Sequence, residues 1–396
     1  MWRRARMLAI GANYHRQKRP YARARTAGPT NTFARPRRSP SRARDSALSA
    51  AFDLFPPLAA LALLLLLATP CAALGANAQT LVITGAGEGH GVGMSQDGAL
   101  GYAEHGYGAA AILGHYYTGT AIGQAPAGTI VKVLVGARVE KVPLERYVRG
   151  VVAAEMPASW PAAALQAQAI ASRTYALTAK AGDGSKIGQQ FDVYADTRSQ
   201  VYEGKAAETP QTNAAVAATA GQIVTYQGKP AITYFFASSG GMTEDVQNAF
   251  PGSEPQPWLT AVPDPYDTGP GADWKVTMSF AAASARLAGL LKGSLRGIDV
   301  LKRGASPRIL TAAIVGAGGV TEVSGDELAS RLGLTDTWAY FGVRNGNGPV
   351  RQEPGSGTPA PSPAPIPTPV PATVPGATPA PATATQASPA GGTLAG

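Results

Sequence analysis

One glutamate lies on the apolar face of a predicted helix and is the first candidate for chemistry. In the segment P-L-E-R-Y-V-R-G-V-V-A-A-E-M-P, residues 143–157, apolar side chains recur at the spacing of one helix face: Leu144, Tyr147, Val148, Val151 and Val152. Glu155 follows Leu144 by eleven residues, which at about 100° per residue leaves the two only about 20° apart around the axis. Pro157 then ends the helix. The pattern predicts a carboxyl group directed at the core from the end of a helix.

Such a position favours acid–base chemistry. Burial and the negative end of the helix dipole both disfavour the ionised form of Glu155. A carboxyl group that keeps its proton near neutral pH can act as a general acid. A structural interpretation stays open, in which Glu155 forms an ion pair with a neighbouring arginine such as Arg173.

The elements that must position this group predict an α+β fold, with helices and strands mixed in one unit. Periodicity predicts helices over 143–155, 161–180, 278–291 and 326–332, and strands over 129–135, 222–226 and 231–236. The turn-rich segment Asp264–Gly271 predicts a boundary between two lobes. We therefore expect a domain over 79–350, with 79–265 as its core and 266–350 as a second lobe.

Several segments together resemble the signature of the SpoIID/LytB family. The longest is V-P-L-E-R-Y-V-R-G-V-V-A-A-E-M-P-A-S-W-P-A-A-A-L-Q-A-Q-A-I-A-S-R-T-Y-A, which begins at Val142. The others are G-H-G-V-G-M-S-Q-D-G-A (89–99), D-T-R-S-Q-V-Y-E-G (196–204), S-S-G-G-M-T-E (238–244) and S-G-D-E-L-A-S-R-L-G-L (324–334). The resemblance covers nearly all of residues 84–340.

The resemblance implies a secreted peptidoglycan lytic transglycosylase that cleaves glycan strands and leaves 1,6-anhydromuramic ends. The glutamate of the A-E-M-P motif, here Glu155, would be its single general acid/base. Hydrolytic glycosidases usually pair two carboxyl groups, whereas in this reaction the sugar's own 6-hydroxyl replaces water. Two alternatives stay open: a non-catalytic enhancer of a cell-wall amidase and a wall-binding module.

Two departures from the family pattern affect these expectations. The segments Gly89–Gln96 and Tyr116–Thr120 precede the catalytic segment here, whereas the pattern places them last, so the order is circularly permuted. Such an order preserves a site when the original termini lie close together. Some members also carry H-S-T-C-G-G and bind zinc, but the corresponding stretch here is F-A-S-S-G-G (236–241). We therefore predict no metal and no cofactor.

Further candidate residues lie in three segments. The predicted substrate contacts are His90, Ser95 and Gln96 in the glycine-rich segment, Arg173 and Tyr175 on the following helix, and Asp196, Gln200 and Tyr202 in D-T-R-S-Q-V-Y-E-G. Alternating glycines let a backbone approach a ligand closely, although a tight turn in which His90 bonds to the backbone is an equal alternative. Glu244 and Asp245 are secondary carboxylates that we expect in solvent.

Positive charge is concentrated at the start of the chain. Residues 1–78 hold 13 of the 34 basic residues and two of the 25 acidic ones, so that 79–396 carry −2 of the total of +9. The apolar run at 58–68 and the small residues up to Ala78 predict a signal peptide, and hence a secreted, cell-wall protein without a membrane anchor after cleavage. The basic character therefore does not predict a nucleic-acid partner. The single cysteine, Cys71, lies in this leader, which excludes disulfides and thiolate chemistry downstream.

The far end of the chain has the composition of a tether. Residues 354–396 hold 12 of the 33 prolines and no charged side chain. Such a segment cannot bury enough apolar surface to offset its conformational entropy. We predict a disordered Pro/Ala/Thr tail over 351–396.

Overall fold

A computed structural model describes residues 79–180 and 191–352. The predicted leader and nearly all of the predicted tail lie outside the described residues. Residues 351–352, which we assigned to the tail, instead end the last strand. No helix in the described part of the chain is long and apolar enough to cross a membrane.

The fold is a mixture of helices and small sheets, which confirms the predicted α+β class. The strands are β1 Gln79–Gly85, β2 Met94–Ser95, β3 Ala121–Gln124, β4 Ile130–Val135, β5 Arg138–Pro143, β6 Val193–Tyr194, β7 Gln222–Tyr226, β8 Lys229–Pro230, β9 Phe235–Phe236, β10 Trp274–Ser279, β11 Leu295–Arg303, β12 Ile309–Gly316, β13 Gly319–Ser324, β14 Ala339–Asn345 and β15 Val350–Gln352. The helices are α1 Gln96–Glu104, α2 Ala109–Tyr116, α3 Leu144–Glu155, α4 Ala162–Lys180, α5 Pro210–Ala218, α6 Val246–Ala249, α7 Phe280–Arg286 and α8 Gly325–Leu332, with a 3₁₀ turn at Gly204–Ala207.

Two separate hydrophobic cores define two lobes. The first lobe packs α1–α5 and the sheets β5-β4-β6 and β3-β7-β8 around one core, which extends along the chain to Tyr266. The second lobe packs α7 and α8 against the sheets β10-β1-β14-β15 and β11-β12-β13. Its core also contains Leu81 and Ile83, so β1 belongs to the second lobe although it comes first in the chain.

Helices α3 and α4 form the centre of the first lobe. The apolar stripe of α3 is buried as its spacing predicts, and each such side chain contributes roughly 1.5–3 kcal/mol to folding. Helix α4 contacts α1, α2, α3 and α5 as well as β7, and its many alanines permit that close packing. The two helices thus form a fixed support at the carboxyl end of α3.

Two predicted elements differ from the structure. The run 231–236 pairs as a strand only at Phe235–Phe236, because the preceding backbone bonds elsewhere: the Ala231 N–H donates to Val224, and the Tyr234 carbonyl accepts from Met94. The predicted helix over 278–291 is shortened to α7. Its first two residues complete β10, where they pair with β1, a strand remote in sequence that periodicity cannot reveal.

Candidate active site

The carboxyl group of Glu155 lies at the last residue of α3 and is only 3 % exposed. Its Oε1 accepts a hydrogen bond from the Val201 backbone N–H at 2.7 Å, and its Oε2 accepts one from Gln96 Nε2 at 3.1 Å. The chain leaves the helix at Met156 in an extended conformation, ahead of Pro157. Donors from two separate segments therefore hold this carboxyl group in one orientation.

A chain of buried side chains extends from Glu155 across α4. Gln96 Nε2 also donates to Gln168 Oε1 at 3.4 Å, and Gln168 Nε2 donates to Ser172 Oγ at 2.9 Å. The Ser172 carbonyl in turn accepts from Gln200 Nε2 at 3.2 Å. Buried amides cost free energy unless they are hydrogen-bonded. This chain therefore places a hydrogen-bonded donor beside the carboxyl group.

Sequence reasoning missed two members of this chain, Gln168 and Ser172. Together with Tyr175 they recur at i, i+4 and i+7 on an otherwise alanine-rich helix. That spacing places the three side chains on one face. A polar stripe on a buried helix was therefore the signal available in the sequence.

The glycine-rich segment is held so that Gln96 reaches Glu155. Strand β2 pairs in parallel with β9, and the Asp97 N–H donates to the Ala237 carbonyl at 2.9 Å. Ser95 is the N-cap of α1: its Oγ accepts from the Gly98 N–H and donates to Asp267 at 2.9 Å. The glycine-rich segment, which precedes α3 in the chain, therefore brings Gln96 within hydrogen-bond distance of the carboxyl group.

Ser95 holds the start of α1, and its role as a substrate contact stays a prediction. Its side chain is fully buried, and its hydroxyl is used within the protein. An N-cap hydroxyl of this kind faces the helix backbone. The side chain of the next residue, Gln96, is the one that reaches the site.

Buried acidic side chains anchor the S-S-G-G segment. Asp267 accepts hydrogen bonds from the hydroxyls of Ser95, Ser238 and Ser239. Asp264 accepts from Tyr116 at 2.8 Å, and its other oxygen lies 2.8 Å from Ser239 Oγ. Burial, with the neighbouring Asp267, raises the pKa of the Asp264 carboxyl well above its usual range. The segment Asp264–Gly271, which we predicted as the boundary between the lobes, therefore takes part in these buried hydrogen bonds through Asp264 and Asp267.

Arg173 pairs with Glu145 and not with Glu155, which corrects the ion-pair interpretation. Its guanidinium is fully buried and forms two hydrogen bonds of 2.8 Å with Glu145. It also donates to the Gln222 carbonyl at 3.0 Å. This side chain joins the start of α3 to α4 and β7, and its role as a substrate contact stays a prediction.

The D-T-R-S-Q-V-Y segment approaches the site through its backbone more than through its predicted side chains. Gln200 is buried, and Tyr202 stacks on Tyr147 with ring centroids 5.1 Å apart. Asp196 forms an exposed ion pair with Arg198, which lowers the pKa of Asp196. The atom of this segment that touches Glu155 is the Val201 N–H, and a backbone donor leaves no side-chain signal in the sequence.

His90 and Tyr175 belong to one aromatic group. The ring centroid of Tyr234 lies 6.0 Å from that of His90 and 6.2 Å from that of Tyr175. Phe236 and Phe250 also lie against the imidazole, at 5.3 and 5.2 Å. His90 Nδ1 accepts a hydrogen bond from the Val92 N–H at 3.1 Å. The hydrogen bond between His90 and the backbone that a tight turn predicts is therefore present.

Glu244 is buried, contrary to the expectation that it lies in solvent. Its Oε1 accepts from the N–H groups of Asp245 and Ala305 and from Asn248 Nδ2, and its Oε2 accepts from Ser306. Among the described residues, no three His, Cys, Asp or Glu side chains are grouped so as to hold a metal ion. The absence of a metal stays a prediction.

Fold and site together define a two-lobed α+β protein with a buried glutamate held by an amide and a backbone N–H. Residues 136–226 match the sequence model of the SpoIID family, described as Stage II sporulation protein. The chain is 32 % identical to Stage II sporulation protein D of Bacillus subtilis over 223 residues, or 53 % of this chain and 63 % of that protein. It is 31 % identical over 210 residues to the protein of the same name from Bacillus amyloliquefaciens, covering 50 % of this chain and 59 % of that one.

A third relative carries a different name. The chain is 36 % identical over 146 residues to the Amidase enhancer of Bacillus subtilis, covering 37 % of this chain and 19 % of that protein. The chain thus spans about three fifths of the first two relatives and a smaller part of the third. These matches confirm the resemblance of the chain to the SpoIID/LytB family.

Proposed function

We propose that the protein is a secreted lytic transglycosylase of peptidoglycan glycan strands, with Glu155 as its single general acid/base. The relatives support a cell-wall-related function. The observation that carries the specific proposal of glycan cleavage is the Glu155 carboxyl group itself. It is buried at the end of α3 and accepts hydrogen bonds from the Val201 N–H and Gln96 Nε2.

The reaction needs one carboxyl group that first gives and then takes a proton. The proton of Glu155 passes to the glycosidic oxygen as its bond to the anomeric carbon breaks. The 6-hydroxyl of the same muramic acid then bonds to that carbon and gives its proton to the Glu155 carboxylate. One C–O bond is broken and one is formed, the carboxyl group regains its proton, and no water is consumed.

The two hydrogen bonds to Glu155 suit the step in which the group is ionised. A hydrogen bond to a carboxylate stabilises the charged form and opposes the effect of burial. Because the donors lie on separate segments, they also fix the plane of the carboxyl group. Small displacements of a reacting group can lower a rate by about a hundredfold, so this orientation matters.

The direct test compares the full chain with Glu155→Gln on purified glycan strands, both peptide-bearing and denuded. We expect 1,6-anhydromuramyl ends from the wild type and at least about a hundredfold fewer from the variant, as for loss of a general acid. Mass spectrometry of the released fragments measures both. Absence of anhydro ends with wild type on either substrate would contradict the proposal.

The similarity to the Amidase enhancer favours a second candidate function, stimulation of a cell-wall amidase without glycan cleavage. The wild type and Glu155→Gln also distinguish this second function from the first. Added to a wall amidase on whole peptidoglycan, Glu155→Gln should stimulate as strongly as the wild type if enhancement needs no acid catalysis. Equal stimulation without anhydro ends would establish this second function in place of the first.

A further inference from the structure

Two buried aspartates meet at one serine hydroxyl. Ser239 Oγ lies 2.8 Å from Asp264 Oδ2 and 2.9 Å from Asp267 Oδ2. The same oxygen accepts a hydrogen bond from the Gly241 N–H at 3.0 Å. Ser239 and Asp264 are fully buried, and Asp267 is 6 % exposed. Two carboxyl groups are therefore brought together away from solvent.

The hydrogens at this contact indicate one proton more than two carboxylates would hold. A serine hydroxyl has a single hydrogen to donate. If both aspartates were ionised, one carboxylate oxygen would lie 2.8 or 2.9 Å from Ser239 Oγ with no hydrogen of its own between them. A proton on one aspartate removes this conflict. That carboxyl group then donates to Ser239 Oγ, while the Ser239 hydroxyl donates to the other aspartate.

The remaining contacts of the two groups place this proton on Asp264. Asp267 accepts hydrogen bonds from the hydroxyls of Ser95 and Ser238 and from a backbone N–H, and several donors stabilise an ionised carboxylate. Asp264 accepts from Tyr116, through the oxygen that does not face the serine. Burial and the charge of Asp267 raise the pKa of Asp264 well above its usual range, in agreement with this assignment.

The surroundings of Asp264 offer it no counter-charge. A Cβ added at Gly98 would lie 2.3 Å from Asp264 Oδ2, so the backbone of α1 packs directly on the carboxyl group. Within the described residues, no basic side chain pairs with Asp264 or Asp267. The other charged or titratable side chains around this contact are Glu88, Asp97, Tyr102, His115, Tyr116 and Arg308.

We propose that Asp264 and Asp267 hold one proton between them, that Asp264 carries it, and that this proton closes the contact of the S-S-G-G segment (238–241) with α1 and α2. Asp267 bonds to Ser95, the N-cap of α1, and the next residue, Gln96, donates to Glu155. The contact is therefore a pH-sensitive support of the candidate site. It has this role whatever reaction Glu155 performs.

The direction of the pH dependence follows from the raised pKa of Asp264. The folded protein holds this proton more tightly than the unfolded chain does. Its contribution to stability is therefore complete below about pH 4 and is lost as the pH rises through the raised pKa of Asp264.

NMR of the aspartate carboxyl carbons in the full-length wild type observes the proton directly. An ordinary aspartate is almost fully ionised at about pH 6.5. At that pH the Asp264 carbon should still have the chemical shift of a neutral carboxyl group, and the Asp267 carbon should have that of a carboxylate. When Asp264 ionises at higher pH, the side-chain amide signals of Gln96 should shift over the same range. Two ionised aspartates near neutral pH, or Gln96 signals that do not follow Asp264, would overturn the proposal.

Asparagine at each position distinguishes the two aspartates. The amide of Asp264→Asn can donate to Ser239 and accept from Tyr116, as the protonated carboxyl group does. Its melting temperature near neutral pH should change by less than about 2 °C. In Asp267→Asn one oxygen acceptor is replaced by a donor, so the melting temperature should fall by at least about 5 °C. The control is Asp273→Asn at an exposed position, which should behave as the wild type. An Asp264→Asn variant that is destabilised as much as Asp267→Asn would also contradict the assignment.

Discussion

Glu155 is held by a neighbouring glutamine that hydrogen-bonds both it and the next buried amide. Gln96 donates both hydrogens of Nε2, one to Glu155 and one to Gln168. Gln168 is fixed in turn by Ser172. Three buried polar side chains, together with the Val201 N–H, therefore set the orientation of one carboxyl group.

Gln96→Leu should lower the turnover number for anhydro-end formation by at least about tenfold. The leucine fills a similar volume but removes a donor from the carboxylate and leaves the Gln168 oxygen without its partner. The same change should cost about 1–3 kcal/mol of unfolding free energy. Initial rates and urea unfolding measure the two effects.

The matched control is Gln211→Leu on the exposed surface of α5, which should change neither quantity. Wild-type turnover by Gln96→Leu would show that the amide does not position the carboxyl group.

At the scale of elements, α3 is pressed against the segment that supplies the Val201 N–H. A Cβ added at Gly150 would lie 2.6 Å from Tyr202 Cε2 and 3.0 Å from the backbone Cα of Gly204. Both distances are below ordinary contact. The glycine therefore sets how closely the helix and this segment approach each other.

Gly150→Ala should lower turnover about tenfold and also lower the free energy of unfolding, because overpacking costs about 1–3 kcal/mol. Alanine favours the helix by up to about 1 kcal/mol, which offsets part of the cost of the clash. The displaced segment, however, carries the N–H that bonds Glu155 at 2.7 Å. Initial rates measure the effect on turnover, and thermal unfolding measures the effect on stability. The control is Gly114→Ala, at a glycine exposed on α2. Unaltered turnover in Gly150→Ala would rule out this coupling.

Elements with local signals were predictable from the sequence, and elements that depend on distant partners were not. The apolar spacing of α3 and the proline after Met156 predicted both the helix and the burial of Glu155. By contrast, the pairing of β1 with β10 and β14 joins residues at least 189 positions apart, and no periodicity encodes it. The same holds for the candidate site. Gln96 was predicted from its motif, whereas the other donor is the backbone N–H of Val201, which residue types do not reveal.

Across the whole molecule, the arginine of a buried ion pair in the second lobe also bonds to the first lobe. Arg308 and Asp336 of the second lobe are 2 % exposed each, and Arg308 also donates to the carbonyls of Ser239 and Met242 in the first. Burial raises the pKa of Asp336 to about 6, although Arg308 acts in the opposite direction. The charge state of this contact therefore changes within an accessible pH range.

Arg308→Met should destabilise the protein more at pH 8 than at pH 5. Because the folded-state pKa of Asp336 lies above its usual 3.8, the folded protein holds this proton more tightly than the unfolded chain does. Protonation therefore stabilises the fold below about pH 4, and this contribution is lost as the pH rises through about 6. At pH 8 the variant leaves a buried carboxylate without its partner, which costs about 3–5 kcal/mol.

At pH 5 most of the Asp336 carboxyl is already neutral, so the same substitution should cost clearly less. Urea unfolding of the wild type and Arg308→Met at both pH values measures the difference. The control is Arg331→Met on α8, whose exposed pair with Glu327 should contribute under about 1 kcal/mol at either pH. An equal cost of Arg308→Met at the two pH values would show that Asp336 does not titrate in this range. The contact between the lobes would then keep the same charge state at both pH values.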